Sequence, residues 1–255
     1  MSPVRRPVLA GNWKMHKGPA EAREFFAAFL ERHPARNDRT VVFFPPALSL
    51  AAAREALGGR ADVGLGVQNV HWEAKGAFTG ETSAPMAADA GAAWVLVGHS
   101  ERRHVFGETS AETARKVRAA LDAGLVAVLC VGETLDERRA GRAEAVVREQ
   151  LDAVLPTLGA DEAERLVVAY EPVWAIGTGE TATPQDAATM HAAVRARLRE
   201  AYGEERAAAT AVLYGGSVKP DNAAELLAAS DVDGVLVGGA SLDPAGFATI
   251  CAAPG

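Results

Sequence analysis

The chain has 255 residues, 49% of them hydrophobic and 23% charged, which is enough apolar material for a substantial core and the usual length of one eightfold α/β barrel. Its formal net charge of −7 argues against nucleic acid or an anionic membrane as partner, and no apolar run approaches the roughly 20 residues of a membrane-spanning helix. The start, Met1-Ser2-Pro3-Val4-Arg5-Arg6-Pro7, lacks the apolar stretch of a signal peptide, so a cytoplasmic protein is expected.

Eight short β-rich runs recur along the chain, at 8–10, 41–44, 63–67, 94–97, 126–129, 166–170, 211–214 and 235–237. Stretches of helical period lie between them, such as Ala22, Phe25, Phe26, Phe29 and Leu30, or Val146, Val147, Leu151, Val154 and Leu155. Thr183-Pro184 and Asp243-Pro244 each set a capping side chain before a proline suited to the first helical position. Gly58-Gly59, Gly124 and Gly203 mark other joints. No linker or charge block divides the chain, so residues 1–255 are expected to form a single (β/α)8 barrel domain of eight parallel strands with outer helices. The two cysteines, Cys130 and Cys251, are far apart in apolar surroundings that suit reduced, buried thiols.

In such a barrel, chemistry belongs at the carboxyl ends of the strands. Those ends read Gly11-Asn12-Trp13-Lys14, Gly98-His99-Ser100-Glu101, Glu171, Gly215-Gly216-Ser217 and Gly238-Gly239-Ala240-Ser241. Two adjacent glycine turns, after the seventh and eighth strands, offer backbone N–H groups near helix starts, which suits an anion such as phosphate. Glu171 ends a buried strand that Pro172 stops at once. Val173-Trp174 and then Gly177 and Gly179 follow, as a movable cover over an acid would require. Of 26 basic residues only five are lysines, which draws attention to Lys14 as a compact point charge.

A carboxylate, an imidazole and a cation at converging strand ends point to removal of a proton from carbon beside a carbonyl. Glu171 is the candidate base; His99, helped by Asn12 and Lys14, would stabilise the enediolate oxygen. Two rival motifs are weak. Gly177-x-Gly179-x-x-Ala182 stands too far beyond its strand for a dinucleotide fingerprint. His99, Glu101 and His104 lack the spacing of a helical zinc motif, so no metal is implied.

Seven segments together resemble the triosephosphate isomerase family over essentially the whole chain: Gly11 to Met15, Gly76 to Glu81, Val97 to Arg103, Cys130 to Thr134, Tyr170 to Gly179, Leu213 to Val218 and Leu236 to Ser241. A neutral histidine and a closing lid are established features of that family, so those roles are what the resemblance implies. The resemblance implies cofactor-free interconversion of dihydroxyacetone phosphate and glyceraldehyde 3-phosphate. It assigns Glu171 as base, His99 as neutral electrophile, Lys14 and Asn12 as substrate contacts, and Glu101 as a supporting acid. It implies phosphate held at Gly177, Ser217, Gly238 and Gly239 beneath a lid at 172–182. It further implies a homodimer in which the loop around Thr79 reaches the partner near Asn12 and Lys14. Two departures from the common family pattern are His16, where Asn is usual, and Glu180, where Lys is frequent. The alternatives are another phosphate-binding barrel isomerase, or a non-catalytic phosphosugar-binding barrel.

Overall fold

A computed structural model describes residues 6–175 and 182–254. The apolar runs form eight parallel strands: β1 (Val8–Asn12), β2 (Thr40–Phe44), β3 (Val63–Val67), β4 (Trp94–Val97), β5 (Val126–Val131), β6 (Leu166–Tyr170), β7 (Val212–Tyr214) and β8 (Gly234–Val237). They pair in chain order and close, with β8 beside β1. Parallel neighbours need crossover connections, and the helical stretches between the runs supply them on the outside of the barrel.

The two-residue alternation of each strand sorts side chains into two cores. Val8, Ala10, Val42, Phe44, Leu96, Val128, Cys130, Val167, Ala169, Leu213 and Leu236 fill the barrel interior. Their sequence neighbours, among them Leu9, Val41, Phe43, Val95, Val97, Leu129, Val168 and Val237, pack outward against helices. Phe44 is seated inside because β3 has glycine at Gly66: a Cβ there would come within 2.4 Å of its ring. On the outer side the helix Pro19–Leu30 brings Phe25 and Phe26 against Phe43 and Trp13, with ring centroids of Trp13 and Phe25 4.8 Å apart, edge to face.

The helix starts read from the sequence are present. Thr183 and Asp186 cap one another at the head of the run Pro184–Ala209, and Asp243 accepts from the Gly246 N–H at 2.6 Å ahead of Pro244–Ala252. Gly203, at φ 82°, breaks the long run into two helices. Gly58 adopts the left-handed conformation that ends the helix Leu50–Leu57. One joint differs from expectation. The glycine turn after β7 does not lead straight into a helix, because Pro220 and the bonds Lys219 N–H to Asn222 Oδ1 and Asn222 Nδ2 to Ser217 O build an irregular loop first. The next helix begins at Ala223. Cys130 and Cys251 are buried free thiols.

The first of the two helices in the run Pro184–Ala209 carries His191, fully buried against the barrel and flanked by Tyr170 and Tyr214. Its Nδ1 is 3.0 Å from Asp231 O, so that nitrogen carries the proton of the neutral ring, and its Nε2 has no partner among the described residues. Burial, with Arg195 adding to it, lowers its pKa to about 4. Unfolding would return the imidazole to its ordinary value near 6.5. The native state then loses stability as pH falls from about 6.5 to about 4, by about 3 kcal/mol once the lower value is passed. Urea unfolding of the parent and of His191→Gln at pH 7 and at pH 4.5 checks this: the parent should lose more on acidification, and equal losses would contradict it.

Candidate active site

The alternation that builds the core also delivers the site. Val8 and Ala10 face inward on β1, so Asn12 does too; Val167 and Ala169 face inward on β6, so Glu171, the residue just past the strand, follows them. The same parity puts glycines at the mouth after four other strands: Gly98, Gly132, Gly215 and Gly238. Space for a ligand arises where two of these positions, Gly215 and Gly238, carry no side chain. At Gly215 a Cβ would stand 2.8 Å from Glu171 Cγ, and at Gly238 3.4 Å from Lys14 Cε.

His99 departs from the alternation. With Leu96 inside and Val97 outside, strict alternation sends residue 99 outward. Gly98 adopts φ 71°, a region open to glycine at little cost, and the chain turns so that His99 faces the mouth. There His99 Nε2 lies 3.0 Å from Glu171 Oε1. The other oxygen, Oε2, accepts the Ser100 N–H at 2.8 Å, and the Glu171 N–H donates to Val131 O at 2.7 Å. His99 Nδ1 accepts the Glu101 N–H at 3.3 Å as the cap of the short helix Ser100–His104, which leaves Nε2 as the protonated nitrogen of the neutral ring.

Both groups of this pair are buried, and each acts on the other. Burial pushes the Glu171 carboxyl up, but His99 and the Ser100 N–H outweigh it, so its pKa lies below the ordinary carboxylate value. Burial pulls His99 down, while the Glu171 charge and hydrogen bond more than offset this and raise it. The raising influence thus belongs mainly to the carboxylate in contact. Burial and the Lys14 charge act in the opposite sense.

Lys14 takes a left-handed backbone, φ 51°, unusual for a side chain of its size. Two side-chain amides hold it: Asn12 Oδ1 accepts its N–H at 3.0 Å, and Gln68 Nε2 donates to its carbonyl at 2.8 Å. Its ammonium pairs with Glu101 Oε1 at 2.6 Å. Asn12, Lys14, His99, Glu171, Ser217, Gly238 and Gly239 line one pocket of about 380 Å³, on whose far side lies backbone after β7 and β8. After β8 the turn Gly239–Leu242 begins at once, as expected. Glu101 reaches the site through Lys14 and lines an adjoining cavity of about 230 Å³ with Asn12, Lys14, Gln68 and Phe106. Thr79 stands on an exposed loop and does not line the main pocket. Gly177, Gly179 and Glu180, and with them most of the expected lid and of the dinucleotide-like motif, lie outside the described residues.

Sequence reading assigns no role to Glu133, which is fully buried just past β5. It accepts from Tyr170 OH at 3.1 Å and from Trp174 Nε1 at 2.8 Å, while its carbonyl takes the Val173 N–H at 3.1 Å. Arg138 lies 4.4 Å over the Trp174 ring and bonds Asp186 at 2.6 Å. The segment after Glu171 is therefore tied to the barrel on its near side. A carboxylate at a strand end, followed by a threonine that caps the next helix, is the signal that could have drawn attention to it.

Fold and site together define a (β/α)8 enzyme with an acid–base pair at the carboxyl ends of its strands. A model of the family described as triosephosphate isomerase matches residues 7–254. The chain is 53% identical to the triosephosphate isomerase of Symbiobacterium thermophilum over 98% of its own length and 97% of the relative's. It is 51% identical to that of Chloroflexus aurantiacus, over 97% and 98%. The crystal structure of triosephosphate isomerase from Bartonella henselae superposes with a TM-score of 0.87 at 43% identity, covering 96% of this chain and 98% of that one. The chain belongs to the triosephosphate isomerase family and is an isomerase.

The glycine at Gly215 yields a test. In Gly215→Ala the added methyl meets Glu171 Cγ and Tyr170 O and displaces the carboxylate; isomerase kcat should fall about 10- to 100-fold with the barrel intact. Steady-state kinetics alongside thermal melting checks this, and unchanged kcat in a folded variant would contradict it.

Proposed function

We propose that the chain interconverts dihydroxyacetone phosphate and D-glyceraldehyde 3-phosphate without a cofactor, by proton transfer through an enediolate. The observation that carries the reading is the buried contact between His99 Nε2 and Glu171 Oε1, set in a pocket whose opposite side is backbone of Gly238 and Gly239. A substrate carbonyl oxygen takes the place of the Glu171 carboxylate at His99 Nε2, and the released carboxylate reaches the neighbouring carbon and removes its proton. Glu171 returns that proton to the adjacent carbon, while His99 Nε2 gives its proton to one enediolate oxygen and takes the hydroxyl proton of the other, which completes the isomerisation.

Negative charge moves onto the substrate oxygen as the enediolate forms, and a neutral N–H and an ammonium stabilise it where it develops. His99 supplies the first and Lys14 the second, while Asn12 contacts substrate and fixes the Lys14 backbone. Glu101 supports by orienting Lys14 through their 2.6 Å pair. Once the carboxylate leaves His99, burial and the Lys14 charge both favour the neutral ring. The phosphate rests on backbone at Gly238, Gly239 and Gly177, with Ser217 adding a contact. A lid over 172–182 excludes water and holds the phosphate in the plane of the enediolate, which suppresses its expulsion. The bonds from Tyr170, Val173 and Trp174 to Glu133 support an anchored near end for that lid.

Another phosphate-binding barrel isomerase would need the β7 and β8 turns but not the set Asn12, Lys14, His99 and Glu171. A non-catalytic binder would be expected to have lost one of the four. The chain also pairs as a homodimer on this reading. Met15 (94% exposed), Phe106 (68%), Met86 (58%) and Phe78 are exposed apolar side chains, and Met15 and Phe106 border the cavity beside Lys14. The cavity beside Lys14 gives the partner's Thr79 loop a place to dock.

A coupled assay on glyceraldehyde 3-phosphate tests the base. Glu171→Gln should lose at least about 10²- to 10⁴-fold in kcat, with inhibition by inorganic phosphate retained; normal turnover would overturn the assignment. Thr79→Arg should weaken the dimer in sedimentation and lower activity in parallel, and a fully active stable monomer would contradict the docking role.

A further inference from the structure

The turn that brings His99 to the mouth depends on Gly98, and a glycine that permits a conformation does not by itself hold it. Both peptide groups of Gly98 are held by buried or partly buried charged side chains of opposite sign. Its N–H donates to Glu108 Oε1 at 3.0 Å, and its carbonyl accepts from Arg103 Nε at 2.8 Å. Hydrogen bonds to ionised partners are shorter and about twice as strong as neutral ones, so this is a firm grip on a single residue. There is also no room at the site for a larger residue: a Cβ on Gly98 would stand 2.7 Å from Arg103 Nη2 and 2.8 Å from Thr113 Cγ2.

Arg103 is used unusually. Among the described residues it has no carboxylate within ion-pair distance. Nε goes to Gly98 O, Nη2 to Cys130 O at 3.1 Å and Nη1 to Ser110 Oγ at 3.2 Å. Burial holds its pKa below the ordinary arginine value. A partly desolvated cation given over to two carbonyls and a hydroxyl is a costly way to fill space, but it locks the end of β4 to the end of β5 across the point where His99 leaves the barrel wall. Glu108, on the opposite side of Gly98, is fixed by Lys116 Nζ at 2.5 Å and Arg102 Nε at 2.7 Å, with Lys116 also held by Asn69 at 2.8 Å.

We infer that Arg103 and Glu108 are positioning residues for the isomerisation: they clamp the Gly98 peptide from both sides and so aim His99 Nε2 at the substrate oxygen. The inference rests on His99 being the electrophile of the proposed reaction. A clamp of this kind acts on the transition state more than on substrate affinity, because phosphate is bound at the β7 and β8 ends, away from β4. Displacing a stabilising group by about 1 Å can cost on the order of 100-fold.

The test uses Arg103→Ala and Arg103→Lys in the full chain, with His99→Gln as reference. Arg103→Ala should lower kcat by at least about 10-fold with KM and inhibition by inorganic phosphate within about twofold. Guanidinium at tens of millimolar should recover at least about threefold of the lost kcat, which a merely destabilised fold would not do. Arg103→Lys places a point charge where a planar fork spans two carbonyls, so it should lose about threefold or more in kcat and shift the His99 imidazole ¹⁵N resonance. If Arg103→Ala does not fold, Arg103→Lys decides. Full kcat and an unmoved His99 resonance in folded Arg103→Lys, or a kcat loss in Arg103→Ala that guanidinium leaves untouched, would overturn the clamp. Full activity in His99→Gln would instead overturn the catalytic reading on which it stands.

Discussion

At the mouth of the barrel a buried imidazole and a buried carboxylate meet through one contact, His99 Nε2 to Glu171 Oε1 at 3.0 Å. Either group alone in so dry a place would be driven toward its neutral form. Together they hold the Glu171 pKa below the ordinary carboxylate value, as the proposed role of base requires, while the Ser100 N–H secures its second oxygen. On the proposed mechanism the contact is also the one that substrate replaces. In that mechanism a ligand oxygen that takes the place of Glu171 at His99 would free the base and leave the imidazole in surroundings that favour neutrality, so binding would prepare both reacting groups in one exchange.

The rest of the architecture serves that contact. Strand alternation presents Asn12 and Glu171 inward without special provision, and glycines at Gly215 and Gly238 clear the space they look into. His99 is the exception and needs a left-handed turn, which Gly98 makes and charged neighbours hold. Lys14 is a second exception, with a strained backbone held by Asn12 and Gln68. Departures from regular geometry at this end of the barrel thus fall on two of the four residues proposed to meet the substrate.

Much of this was legible in the sequence. Periodicity locates all eight strands, and Thr183-Pro184 and Asp243-Pro244 locate two helix starts, because strand periodicity and capping act within a few residues of chain. The strand-end rule then gathers Asn12, Lys14, His99, Glu171, Ser217, Gly238 and Gly239 into one pocket. What was not legible depends on partners far away in the chain. Glu133 matters through Tyr170 and Trp174, some forty residues on. Arg103 matters through the carbonyl of Cys130, and Gln68 through that of Lys14. The irregular loop between the β7 turn and the next helix was not legible either, because Gly215-Gly216-Ser217 says nothing of the Asn222 bonds that shape it.

The central claim is that the Glu171 carboxylate is what raises the His99 pKa, and that its departure favours the neutral ring. Titration of His99 by ¹⁵N NMR in the parent and in Glu171→Gln tests it most directly. The account predicts a lower imidazole pKa in the variant, with Nδ1 unprotonated at neutral pH, since burial and Lys14 then act against only the more exposed Glu101 carboxylate. An unchanged or higher pKa in Glu171→Gln would contradict it.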